Sequence, residues 1–293
     1  MNYELITDYK HNAIYRKSFF ELVQTTFELD FKQWDDAGGW NDNYRCLSYR
    51  LGSQIVANVS INELTVIVEG NAHSALQIGT VVTHPDHRNK GLSRQLIEYA
   101  LTTYEKDYDF IYLFANDTVL SFYPKFGFKQ WHESTFVLDV STYEKSNNTN
   151  SWRKLTREVP ADLEIMTRLA EQRKPLSNQV EVTGREHLSH FYYILGFGDA
   201  LYYHSECDAL LIFEIDGSEL HLFDIIAAQP INLNDILSSL LTSEITTVNF
   251  YFTPDGLPHV QSARMENPED TLFVRSKIEE PNTPFVFPLT SHA

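Results

Sequence analysis

The sequence predicts a mixed α/β protein: a central, mostly antiparallel sheet flanked by helices, followed by a second, smaller α/β unit. Three observations predict it. A strand-like run at 76–83 passes through a short basic turn into a helix-like run at 92–104, so strand and helix alternate along the chain. The chain has 293 residues, 43% of them hydrophobic, which exceeds one ordinary domain and can fill two cores. A polar, featureless stretch at 144–151 precedes a second round of strand and helix signals, dividing the chain into 1–143, a linker at 144–151, and 152–293.

Residues 3–7 read as an opening strand, and Ile14, Phe19, Phe20, Leu22, Val23 and Phe27 populate a helix ending near 28–30. A short helix at 31–34 and a glycine loop at 35–40 come next. Residues 44–50, 54–62 and 64–68 read as antiparallel strands, with turns at 51–53 and 69–71. After the central strand, turn and helix, 110–114 reads as a strand. Asn116-Asp117-Thr118 can then cap a helix with Val119, Phe122, Tyr123 and Phe126 on its apolar face. Trp131 and a strand at 135–140 are expected to close the first sheet.

In the second unit, 152–156 reads as a strand and 160–172 as a helix with Leu163, Met166, Leu169 and Ala170 inward. A helix at 183–195, strands at 209–215 and 219–227, a helix at 233–241 and a strand at 248–252 follow. The order of elements repeats the later part of the first unit, without a residue-level repeat. The tail at 281–293, with Phe285, Val286, Phe287, Leu289 and His292, is expected to pack against something.

A net charge of −17 argues against nucleic acid, which demands clustered Lys and Arg, and favours cationic partners, amines among them. Cys46 and Cys207 form neither a disulfide framework nor a metal pattern, and the histidines show no metal spacing. No apolar run approaches membrane-spanning length, and the opening residues lack a secretory pattern. A soluble protein of the reducing cytoplasm is expected.

The turn carries Arg88, Lys90 and Gly91 where a helix begins and its first amides have no internal partner. Free N–H groups and the positive end of the helix dipole make an anion site, to which two cationic side chains add charge-assisted bonds. It is neither the nucleotide P-loop nor the three-glycine dinucleotide fingerprint. Arg88-x-x-Gly91-x-Ser93 resembles the acetyl-coenzyme A signature of the GNAT superfamily of N-acetyltransferases, with Ser93 a small departure at the last position. Asn116, followed seven positions on by Tyr123 within Phe-Tyr-Pro-Lys-Phe-Gly-Phe, resembles that family's last block. The likeness covers about residues 3–140, and both blocks come in the family's order.

The resemblance implies a GNAT fold for the first unit, and for the second a degenerate GNAT-like repeat, since 228–234 has neither glycine nor basic residue to cradle a pyrophosphate. It implies transfer of an acetyl group from acetyl-CoA to a primary amine by direct attack. Val81, Val82 and Thr83 would hold the acetyl and pantetheine arm, Arg88, Asn89, Lys90, Gly91, Leu92 and Ser93 the pyrophosphate, and Asn116 the arm from the neighbouring strand. Tyr123 matches the family's general acid, and a phenol with a pKa of about 10 stays protonated near neutrality. The region after the first helix forms an acceptor wall in the family, which nominates Glu28, Asp30, Phe31 and Trp34, with Trp40, as contacts for an organic cation. For the base, Glu28, Asp30, Glu63, a water chain and the carboxylate of Ala293 stay open, whereas His73, His84 and His87 read as exposed loop residues without a proton-transfer role. An acyl-CoA-binding sensor without transfer, or a protein-amine acetyltransferase, are the alternatives.

Overall fold

The computed structural model describes residues 2–141, 143, 145, 152–266 and 268–293. The chain opens with β1 (Glu4–Thr7), α1 (Ala13–Phe27) and α2 (Phe31–Asp36). Asn12 starts α1 by accepting from the amides of Ile14 and Tyr15, and Glu28 ends it in the left-handed region at φ 61°. Then come β2 (Tyr44–Leu51), β3 (Gln54–Val68), β4 (Asn71–Thr83), α3 (Leu92–Tyr104), β5 (Phe110–Asn116), β6 (Lys129–Gln130) and β7 (Ser134–Asp139). The two strands expected at 54–62 and 64–68 are one continuous β3, because Glu63 keeps the extended register and faces Leu76 across the ladder. The apolar stripe of α3, comprising Leu92, Leu96, Ile97, Ala100 and Leu101, packs on the sheet as its spacing requires.

The later elements are β8 (Trp152–Lys154), α4 (Pro160–Gln172), β9 (Val180–Thr183), α5 (Glu186–Phe191), β10 (Leu201–His204), β11 (Ala209–Asp216), β12 (Glu219–Ala227), α6 (Leu233–Leu240), β13 (Thr247–Phe250), β14 (Gln261–Arg264) and β15 (Asp270–Ser276). Two mixed sheets result. Among the described residues the first runs β1-β2-β3-β4-β5-β15-β6, with β9 pairing the far end of β3, and the second runs β14-β7-β13-β12-β11-β10-β8. In each, one parallel pair is joined through a helix, β4–α3–β5 and β12–α6–β13, so the second sheet repeats the first's central crossover.

The strand at 135–140 does not close the first sheet; β7 pairs with β13 and β14 in the second, and β15 takes the place beside β5. Burial explains the exchange. β5 is covered on both faces, so its neighbour must be apolar on both, and Thr271, Leu272, Phe273 and Val274 of β15 are all buried. β7 alternates buried and exposed positions and suits a one-sided place, with Phe136 and Leu138 in the core of the second sheet. The second sheet therefore takes β7 from the first half of the chain, and the first sheet takes β9 and β15 from the second. Of the linker expected at 144–151, all but Lys145 lies outside the described residues.

The helix expected at 183–195 begins only at Glu186, ends in a π-helical turn at Tyr192–Gly196, and is preceded by a strand, β9. α4 has its expected bounds and buries Met166, Leu169 and Ala170, but Leu163 is 42% exposed. The helix expected after Asn116 is replaced by two 3-10 turns, Asp117–Val119 and Tyr123–Phe126, because Pro124 has no N–H for a helical ladder. The tail packs: Phe285 and Phe287 are buried beside Phe110, Tyr112 and Trp131. No helix among the described residues is long and apolar enough to cross a membrane.

Candidate active site

β4 and β5 pair in parallel only where 75–77 meets 110–112. Beyond that point they part, and Ile78, Gly79 and Thr80 on one side face Phe114, Ala115 and Asn116 on the other across a cleft of about 910 Å³. That volume suits an organic ligand rather than a solvent molecule.

β4 reaches the cleft bent. Its register with β3 shifts between Asn58 and Ser60, placing one extra residue on β4, and Thr80 stands at φ 46°, which a β-branched residue seldom adopts. A buried polar chain holds it. Asn58 Nδ2 donates to the Thr80 carbonyl (3.1 Å) and to Ser60 Oγ (2.9 Å), and Asn58 Oδ1 accepts from Ser48 Oγ (2.7 Å). The hydroxyls of Tyr9 and Tyr44 pair with Ser48 and Ser60 at 2.8 and 2.6 Å. Thr80 and Val81 thereby leave the regular ladder and line the cleft.

The turn after β4 has the geometry that suits an anion. Asn89 at φ 60° and Gly91 at φ 76° reverse the chain into α3, which starts on Gly91 with no side-chain cap and no acid in its first turn. The leading amides and the positive helix end are left for a ligand. A Cβ on Gly91 would meet only Gln95 Nε2 at 3.8 Å, so the glycine serves the left-handed backbone rather than space. Arg88 is oriented by its Nε–H on the Thr83 carbonyl (3.2 Å), and Lys90 Nζ donates to the Asp86 carbonyl (2.9 Å). Ser93, the departure from the signature, has a use for its hydroxyl, 2.7 Å from Thr83 Oγ1.

Val81, Val82, Thr83, Arg88, Asn89, Gly91, Leu92, Ser93 and Asn116 all line the cleft, and Lys90 is not among the lining residues. Tyr123 lines it too, 5% exposed, its ring set edge-on to Phe122 and Phe128 and tilted against Phe273. Burial pushes its phenol up to about 12. It therefore carries its proton throughout the neutral range.

The residues nominated for the acceptor lie elsewhere. Phe31 and Trp34 are buried, with Trp40, in an aromatic cluster around Phe19, and Trp34 Nε1 donates to the His187 carbonyl (2.7 Å). Asp30 caps α2 by accepting from the Lys32 amide (3.0 Å), Glu28 is the left-handed residue ending α1, and neither lines the cleft. The edge-to-face rings hold α1 and α2 on the sheet, so the aromatics serve the core. Glu63 is ion-paired with Arg45. His87 is buried rather than exposed, with Nδ1 2.9 Å from the Tyr3 hydroxyl, and burial, then Lys90, lowers its pKa.

Phe27, Phe191, Tyr192, Asp270 and His292 form a wall that sequence reasoning missed, beside Ala293, which the sequence nominates as a base. The His292 imidazole stacks on Phe114 with centroids 3.4 Å apart, and its carbonyl accepts from the Tyr192 hydroxyl (3.1 Å). Burial pushes that imidazole down to about 3, so it is neutral. Burial, then Glu269 and Asp117, raises the carboxyl of Asp270. Ala293 lies against Gly79, where a Cβ would come 2.9 Å from its carbonyl carbon. Of the open candidates for a base, Ala293 alone borders the cleft. The one signal for this wall was the uncharged, aromatic tail.

Comparison with known proteins agrees with this geometry. Residues 12–131 match the family described as Acetyltransferase (GNAT) domain. No curated protein matches the chain. Among solved structures, a probable N-acyltransferase from Enterococcus faecalis superposes with a TM-score of 0.61 at 13% identity, over 94% of this chain and 72% of the other. Eis1 from Mycobacterium abscessus gives 0.63 at 12% identity, over 94% and 73%. A GCN5-related N-acetyltransferase from Kribbella flavida gives 0.57 at 15% identity, over 94% and 71%. Because these likenesses span both sheets, the fold shared with these structures extends through the second half of the chain.

Proposed function

From the match of residues 12–131 to the GNAT acetyltransferase domain, we propose that the chain transfers an acetyl group from acetyl-CoA to a primary amine, with a small molecule as acceptor. One observation carries the reading: an uncapped, left-handed glycine turn opens into the same cleft that the buried Tyr123 lines, at the point where two parallel strands part. Arg88 and the first amides of α3 suit a pyrophosphate, and the net −17 of the whole chain does not decide the charge at one pocket. Val81, Val82 and Thr83 would align the pantetheine arm on one strand and Asn116 on the other.

The amine, in its neutral form, attacks the thioester carbonyl in a ternary complex. A carbon–nitrogen bond forms, the oxyanion collapses, and the carbon–sulfur bond breaks. Tyr123 gives its proton to the leaving thiolate, and the proton shed by the attacking nitrogen passes to water, from which the phenol is restored. No covalent enzyme intermediate is required. The second half of the chain, 152–293, contributes a wall of the acceptor side rather than a second cofactor site.

The test is calorimetry with acetyl-CoA, then thiol release across a panel of primary amines. Uptake of acetyl-CoA with release only when an amine is present supports transfer. Tight uptake with no release by any small amine would point instead to a sensor, and release only with a protein acceptor to a protein-amine acetyltransferase. Absence of uptake would sink the proposal.

A further inference from the structure

The two sheets meet over four charges that solvent barely reaches. Glu181 on β9 of the first sheet and Asp224 on β12 of the second face Arg173, at the end of α4, and Arg185, at the start of α5, with side-chain exposures of 1–4%. Arg173 holds Asp224 through both terminal nitrogens (2.9 and 2.7 Å), and Arg185 donates to Glu181 (3.1 Å). Two positive charges offset two negative ones. Buried ion groups rarely stabilise a fold more than apolar residues of the same volume, so what they orient is the more informative question.

They orient a fifth residue. The Thr290 hydroxyl, buried with its residue 2% exposed, accepts from Arg185 Nη1 (2.7 Å) and donates to Asp224. From there a tight turn, with the amides of Ser291 and His292 donating to the carbonyls of Pro288 and Leu289, brings His292 onto Phe114. Tyr192, whose hydroxyl holds the His292 carbonyl, continues the segment that Arg185 begins. Both ends of the cleft wall are thus tied to one charged group.

We propose that Thr290, gripped by Arg185 and Asp224, is a positioning residue that sets the acceptor side of the cleft by fixing His292 against Phe114 and Tyr192. Its kinetic consequence rests on the acetyl-transfer reading; its structural consequence does not. Thr290→Val keeps the shape and removes the hydroxyl, Thr290→Ser keeps the hydroxyl, and Tyr192→Phe cuts the link further out while leaving the charged group intact.

Amide hydrogen exchange reads the strap without any acceptor: in Thr290→Val the amides of Ser291 and His292 should exchange about tenfold faster, with Thr290→Ser within about threefold of the parent. With acetyl-CoA and phenethylamine as the amine tested, Thr290→Val and Tyr192→Phe should raise the amine KM about tenfold. Acetyl-CoA affinity by calorimetry should stay within about twofold, and Thr290→Ser should restore the amine KM. Unchanged exchange and KM in Thr290→Val, equal losses in the Val and Ser variants, or acetyl-CoA affinity falling in step with the amine KM overturns the proposal. If Thr290→Val does not fold, unchanged exchange at His292 in Tyr192→Phe overturns it as well. If the parent protein binds acetyl-CoA yet leaves phenethylamine untouched, transfer to that amine is refuted and the exchange ratio alone decides the positioning.

Discussion

Replacing Tyr123 by phenylalanine should separate chemistry from packing. The ring's neighbours, Phe122, Phe128 and Phe273, are contacts that phenylalanine keeps, and among the described residues no hydrogen bond to the Tyr123 hydroxyl is formed. Loss of the oxygen should therefore cost folding less than about 0.5 kcal/mol. If the hydroxyl protonates the leaving thiolate, general-acid catalysis worth about 10²–10⁴ in rate is lost, or about 3–5 kcal/mol of transition-state stabilisation. Steady-state thiol release should show kcat down by at least about a hundredfold. Calorimetric acetyl-CoA affinity should stay within about twofold, because ground-state contacts are unchanged. With the phenol near 12, the parent enzyme should show no loss of rate from deprotonation of this group up to about pH 10. A Tyr123→Phe enzyme whose kcat lies within threefold of the parent's would refute the assignment.

Gly91→Ala forces a side chain into the left-handed region at a cost of about 1–2 kcal/mol, so acetyl-CoA affinity should fall roughly 5- to 30-fold by calorimetry although the space is open. Asn58→Leu takes the Asn58 amide from the Thr80 carbonyl and one partner from each of two buried hydroxyls; denaturant titration should show a loss of about 1–3 kcal/mol, accompanied by slower turnover. Glu133 is a pH-dependent cost to the fold: burial raises its carboxyl to about 7 from 4.5, even though it accepts from the Phe287 amide. The unfolded chain loses that proton near 4.5 while the folded one keeps it to about 7. Stability is therefore full below 4.5, declines through that window and stays lower above it, by about 3 kcal/mol. Glu133→Gln should flatten the slope, gaining up to about 3 kcal/mol over the parent at pH 8 and almost nothing at pH 4.5; equal gains at both pH values would contradict the linkage.

What the sequence by itself determined is the local part of the site. A helix N-terminus depends on the residues that immediately flank it, so Arg88, Gly91 and the apolar stripe from Leu92 to Leu101 sufficed to place an anion cradle after a strand. Asn116 and Tyr123 could be placed for the same reason, although Pro124 turned the expected helix into 3-10 turns. The period of an apolar pattern states that a segment is extended, not which sheet receives it. Only the tertiary structure decided that β7 and β15 exchange places, because the two-sided burial of β5 is a property of its neighbours. It also decided the far wall of the cleft. Tyr192 and His292 lie a hundred residues apart and meet in a direct hydrogen bond, near a buried charge group whose members, Arg173, Glu181, Arg185 and Asp224, look in the sequence like ordinary solvated ions. Their roles come from desolvation and from partners on other strands, and neither is encoded in spacing along the chain.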